Sequence, residues 1–118
     1  MLNSLEDITK VDDRKTIVYK VKAWGNQEVR LRQMTVEHAL RVVELANAVA
    51  EKNDHHLMAE YLATFAGYSL VDDKGELLVK KHEDFQVLKQ KSSAALQEIV
   101  EACSDFNTAE EVDIQVKK

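Results

Sequence analysis

Proline is missing from this sequence altogether, and only three glycines and one cysteine occur among its 118 residues. At an ordinary usage of about 5%, a chain of this length carries several prolines. Their absence suits long helices joined by tight glycine or Asx turns better than an active site built from loops. The lone Cys103 cannot form an internal disulfide, which fits a reducing, cytoplasmic setting. Long apolar runs are also missing: none reaches the roughly 20 residues that a membrane helix needs, so no membrane contact is expected. Met1 to Glu6 show no basic stretch leading into an apolar one, and no signal peptide is read there. Positive charge is in the minority, 16 lysines and arginines against 21 aspartates and glutamates, a formal balance of −5. A nucleic-acid surface normally leaves a basic stripe, so the acidic balance makes nucleic acid an unlikely partner.

Catalytic signatures are absent as well. There is no G-x-S-x-G and no Ser-x-x-Lys, and the paired acids Asp12-Asp13 and Glu110-Glu111 lie outside the periodic segments. The one acidic, glycine-containing stretch is "LVDDKGELLV", residues 70–79. A calcium loop with Gly75 in its sixth position would put Lys74 and Lys81 where oxygen ligands are required. A phosphate cradle needs several glycines and a Lys-Ser/Thr pair, which this stretch lacks. It reads as a turn at Asp72-Asp73-Lys74-Gly75 followed by a short extended "ELLV". His55 and His56 are adjacent and diverge by about 100° on a helix, so one metal cannot easily take both. Glu60 stands four residues after His56 with no evident third ligand, and His38 and His82 are isolated. Cys103 lies in an apolar stripe, the position of a buried, inert thiol. The chain is therefore read as non-catalytic, with no metal and no cofactor.

What is present is periodicity. From Thr16, "TIVYKVKAW" alternates with a period of two, "WGNQ" supplies a turn, and "EVRLRQ" resumes the alternation, a β-hairpin whose second face carries Lys20, Lys22, Arg30 and Arg32. Thr35 is placed to cap a helix whose stripe of Val36, Ala39, Leu40, Val42, Val43, Ala46, Val49 and Ala50 covers about half its circumference. The alanines in that stripe suggest close helix packing, so this helix is expected at the centre of the fold. Asn53-Asp54 begins a second helix that runs through Gly67. A third region carries Phe85, Leu88, Ala95, Leu96, Ile99, Ala102, Cys103 and Phe106, with Ser92-Ser93 read as a break that caps a new helix. The expected fold class is α+β and mainly α-helical: an N-terminal β-hairpin packed on a three- to four-helix bundle, with a turn and extended segment at 70–80. The expected layout is a loosely ordered lead-in at 1–14 and one globular domain at 15–107. Within that domain the hairpin takes 15–33 and helices about 36–52, 54–70 and 83–106, and a tail covers 108–118. Trp24 at the hairpin tip, with Leu45 and Val87 on otherwise polar helix sides, are the candidate partner-binding residues.

The order of these segments carries a resemblance. "EVRLRQMTVEHAL" leads into an alanine-rich helix, "LMAEYLATFAGYSLV" runs into "DDKGELLV", and "KHEDFQVLKQKSSAALQEIVEACSDFN" follows. Over roughly residues 28 to 112 this resembles the tail assembly chaperones of long-tailed, siphovirus-type bacteriophages. The resemblance implies a scaffold that binds the tape measure protein while the tail tube assembles around it. It also implies self-association, residence in the host cytoplasm and absence from the mature virion. A longer form made by ribosomal frameshifting would recruit the tail tube protein. The terminal Lys117-Lys118 pair is compatible with an adenine-rich slippery site. The hairpin's basic face has no place in that resemblance. It supports the alternative of a small adaptor or regulatory domain that binds nucleic acid through Lys20, Lys22, Arg30 and Arg32. A metal-dependent enzyme drawing His38, His55 and His56 from different helices is the third reading.

Overall fold

The computed structural model describes the backbone of residues 1–117 and the side chains of residues 1–105. In chain order the elements are α1 (Leu5–Thr9), β1 (Thr16–Val21), a 3-10 turn (Lys22–Trp24), β2 (Gln27–Arg32), α2 (Val36–Lys52), α3 (His55–Ser69), β3 (Leu70–Val71), α4 (His82–Lys89) and α5 (Ser93–Lys117). The class is the one read from sequence, mainly helical α+β with an N-terminal hairpin.

The hairpin pairs antiparallel, with Ile17 opposite Leu31 and Tyr19 opposite Val29 on the face that meets the helices. β3 adds a third strand to β2, so the sheet order is β1-β2-β3. After the expected turn, "ELLV" returns along this strand: Leu77 bridges Val71, and the Leu78 amide donates to the Leu70 carbonyl at 3.1 Å. A three-stranded sheet with helices on one face escapes the marginal stability of an isolated hairpin.

Each helix start has a local cause. Thr35 accepts from the His38 amide at 3.2 Å, Asp54 from the His56 amide at 2.7 Å, and Ser92 from the Ala95 amide at 3.2 Å. Asn53 stops α2 in the left-handed region, with φ of 51°. Asp84 reaches back to the amides of Lys80 and Lys81 at the start of α4. The lead-in contains a short helix that the sequence period did not reveal, α1, capped by Ser4 and burying none of its residues. The lead-in is tied to the sheet by Asp12, whose carboxylate meets the Arg32 guanidinium at 2.7 Å. α5 continues to Lys117 instead of stopping near residue 106, and no glycine or proline after Gly75 would break it. The side chains of residues 106–118, those of Phe106 and of the 108–118 tail among them, lie outside the described ones.

The central helix is α3, not α2. Residues 62–67 are buried without interruption, nearly two full turns hidden on all sides. α2, α4, α5 and β2 all pack on α3, whereas α2 has its one extensive contact with α3. Small residues make this crowding possible, Ala63 and Ala66 being fully buried. At Gly67 a Cβ would meet the Phe85 ring at 2.6 Å and Val79 at 3.3 Å. The glycine is there because α4 crosses too closely for any side chain. Phe85 is further held edge-on against Tyr68, with centroids 5.8 Å apart. A Lys89–Glu60 ion pair adds a polar link between α4 and α3.

Gly67→Ala is expected to destabilise the protein by about 1 kcal/mol. An overpacking cost of about 1–3 kcal/mol exceeds the roughly 1 kcal/mol gained in helix propensity. Urea unfolding of Gly67→Ala against the double variant Gly67→Ala/Phe85→Leu checks the cause, since a smaller residue at 85 recovers part of the loss.

Candidate functional site

The acidic turn is closed on itself. Asp72 accepts from the amides of Lys74 at 2.8 Å and Glu76 at 3.0 Å, and the Gly75 amide donates to the Asp72 carbonyl at 3.1 Å. These amides, Glu76 first and Lys74 second, lower the Asp72 pKa. Gly75 takes φ of 84°, which admits the reversal. The carboxylate is occupied by backbone donors and completes an Asx-type turn.

The histidines are dispersed in their roles. His38 stacks on Tyr68 with ring centroids 3.8 Å apart and planes 10° from parallel, fastening α2 to the end of α3. His55 and His56 are exposed in the first turn of α3, and exposed His82 pairs with Gln86 at 3.3 Å. Among the described residues no three His, Cys, Asp or Glu side chains gather closely enough to hold a metal ion. Cys103 is 1% exposed, and burial pushes its thiol up to about 11, against the opposing effect of a hydrogen bond with Ser69. A thiol that stays protonated near neutrality is a poor nucleophile.

The hairpin's second face is less basic than its sequence suggests. Arg32 is committed to Asp12 and to the Gly75 carbonyl at 3.1 Å, stapling lead-in, sheet and turn together. Lys20 is paired in register with Glu28, and Arg30 with Val18. A shallow cleft of about 200 Å³ on this face is lined by Val18, Glu28, Val29, Arg30, Val71 and Leu78, a mixed surface without a run of free cations.

On the packed side, Glu98 of α5 anchors the hairpin. Its carboxylate accepts from the amides of Lys22 at 2.8 Å and Ala23 at 2.9 Å, and from the Tyr19 hydroxyl at 3.1 Å. The Ala23 and Lys22 amides are the main cause of its lowered pKa.

Trp24, Leu45 and Val87 are in three different environments. Trp24 is half-buried and packs against the core, because the 3-10 turn folds the hairpin tip toward α5. Leu45 is 4% exposed: with Val42 it forms the buried side of α2, so the side read as polar is the packed side. Val87 is exposed on α4. The stripe expected to be buried is instead partly open, with Val36 at 77%, Leu40 at 59% and Val43 at 53% exposure. α2 therefore has two apolar sides, and only one faces the fold. The signal was in the sequence: a stripe covering half the circumference is wider than one neighbouring helix can cover.

Among the described residues no helix is long and apolar enough to cross a membrane. No family model matches the sequence, and no curated protein matches it. Among solved structures, the chain is similar to that of the bacteriophage HK97 tail assembly chaperone. The TM-score is 0.58 with 18% identity, over 86% of this chain and 90% of that one. At this identity the likeness establishes a shared fold.

Glu98→Gln is expected to lower the melting temperature at pH 7 measurably, and more than the exposed control Glu101→Gln does. Because the folded pKa of Glu98 is lowered, its stabilisation is fully present above the ordinary carboxylate range, about pH 4.3. It is lost as pH falls through the folded value. Paired thermal melts from pH 7 to pH 2.5, on the order of ten points, should show the gap between wild type and Glu98→Gln closing at the acid end.

Proposed function

We propose that the chain is a non-catalytic tail assembly chaperone of a long-tailed bacteriophage. It binds the tape measure protein in the host cytoplasm, assists tail tube assembly and leaves before the virion is complete. The observation that carries this reading is the shared fold with the HK97 tail assembly chaperone across 86% of the chain. The exposed apolar side of α2 supports it, since a broad apolar helix face is what a protein needs to shield a helical partner. The acidic net charge of −5 keeps such a complex soluble. Many copies along one rod act through multivalency, so each contact need be only modest. A frameshift-extended longer form recruiting the tail tube protein, and self-association along the tape measure protein, belong to the same reading.

The alternative of nucleic-acid binding through Lys20, Lys22, Arg30 and Arg32 loses support from the engagement of Arg32 by Asp12 and from the acidic Glu28 standing opposite Lys20 in the strand register.

Co-expression with the tape measure protein of the same genome tests the proposal. The expected result is a soluble tape measure protein that co-purifies with several copies of the chain. A tape measure protein that remains insoluble and unbound, together with salt-sensitive binding of the chain to duplex DNA, would overturn it.

A further inference from the structure

The open side of α2 has an order that specifies more than stickiness. Val36, Leu40, Val43, Asn47 and Ala50 follow one another at intervals of four and three, the spacing of a coiled-coil seam. All five are exposed, and the opposite side of the helix, at Val42 and Leu45, is buried. The seam extends for about 21 Å, four turns at 1.5 Å per residue. Glu37, Glu44 and Glu51 lie seven residues apart and so form a single row along one border. Ala39 and Ala46 line the other border, where small side chains allow another backbone to approach closely. Among the described residues Glu44 leans on Arg41 at 3.4 Å, while Glu37 and Glu51 make no ion pair or side-chain hydrogen bond.

We propose that this face of α2 docks an amphipathic helix whose apolar seam is bordered by lysine or arginine. The inference rests on the chaperone reading for the identity of the natural partner, and on the seam alone for the partner's chemistry. The glutamate row decides between occupants. A second copy of α2 packed antiparallel would set glutamate row against glutamate row, and like charges across a seam repel. A parallel second copy would set the glutamates against alanines and leave them without a counter-charge. A basic-bordered helix places cations along the row while burying Val36, Leu40 and Val43. Asn47, the fourth of the five seam positions, is where one polar residue fixes register at some cost in affinity.

The test uses the full chain and two labelled three-heptad peptides. Both carry leucine at the seam positions; one carries lysine along both borders and the other glutamate. Fluorescence anisotropy should show the lysine peptide binding at least about tenfold more tightly, with the preference shrinking as salt is raised. Leu40→Asp/Val43→Asp changes two exposed side chains, and should keep the helical circular dichroism while weakening the lysine peptide about tenfold or more. Reversal of the row, Glu37→Lys/Glu44→Lys/Glu51→Lys, should switch the preference to the glutamate peptide. Equal binding of the two peptides, or an unaffected Leu40→Asp/Val43→Asp variant, would overturn the proposal. So would a wild-type dimer that ignores both peptides and is dissolved by Leu40→Asp/Val43→Asp, a result that assigns the seam to a second copy. If that variant still solubilises the tape measure protein, the seam inference fails while the chaperone reading stands. If wild type takes the lysine peptide but never the tape measure protein, the reverse holds.

Discussion

Everything in this fold depends on burying α3 from all sides. A single helix surrounded by three others and a sheet must be apolar around its circumference and slender where its neighbours cross, and 62–67 meet both conditions. Gly67 gives α4 the room to bring Phe85 against the helix, and Ala63 and Ala66 remove bulk on other sides. Once α3 holds the centre, α2 is left at the periphery with one extensive neighbour. One helix can cover only part of its circumference, so the second apolar side of α2 remains in water. The exposed face is thus a consequence of the architecture and of a helix sequence with two apolar sides.

The remaining joints are polar and local. Glu98 ties α5 to the hairpin through two backbone amides and a phenol, and Arg32 ties the lead-in and the acidic turn to the sheet. These links neutralise groups that the sequence alone advertises as chemistry. Asp72 closes a turn, and the cation at 32 is a staple. Among the described residues no buried side-chain nitrogen or oxygen lacks a hydrogen-bond partner.

Local signals in the sequence were legible and global ones were not. Thr35, Asp54 and Ser92 cap helices because capping involves only neighbours two or three residues apart. The hairpin register follows from alternation at Ile17, Tyr19, Val29 and Leu31. Periodicity cannot say which of two apolar sides of one helix is covered. It therefore misplaced Leu45, put α2 at the centre and hid the opening at Val36, Leu40 and Val43. β3 escaped because a two-residue strand has no period, and α1 because five residues with no buried side chain leave no pattern. Of the candidate contact residues, Val87 alone is openly exposed, and the broader open apolar surface lies on α2 at Val36, Leu40 and Val43.

The glutamate row turns an unspecific apolar surface into a selective one. Val36, Leu40 and Val43 would attract any amphipathic helix, including the acidic helices that an acidic chain itself presents. Without a charged border, copies of this chain would compete with the partner for the same face. Glu37, Glu44 and Glu51 weaken antiparallel self-pairing through repulsion and leave the parallel form without compensation. The same charges would attract a basic-bordered helix from a distance of about one Debye length, roughly 8 Å at physiological salt. Asn47 interrupts the seam with a polar group, which would keep each contact modest. Modest contacts repeated along a rod can be released one at a time, which would suit the proposed chaperone.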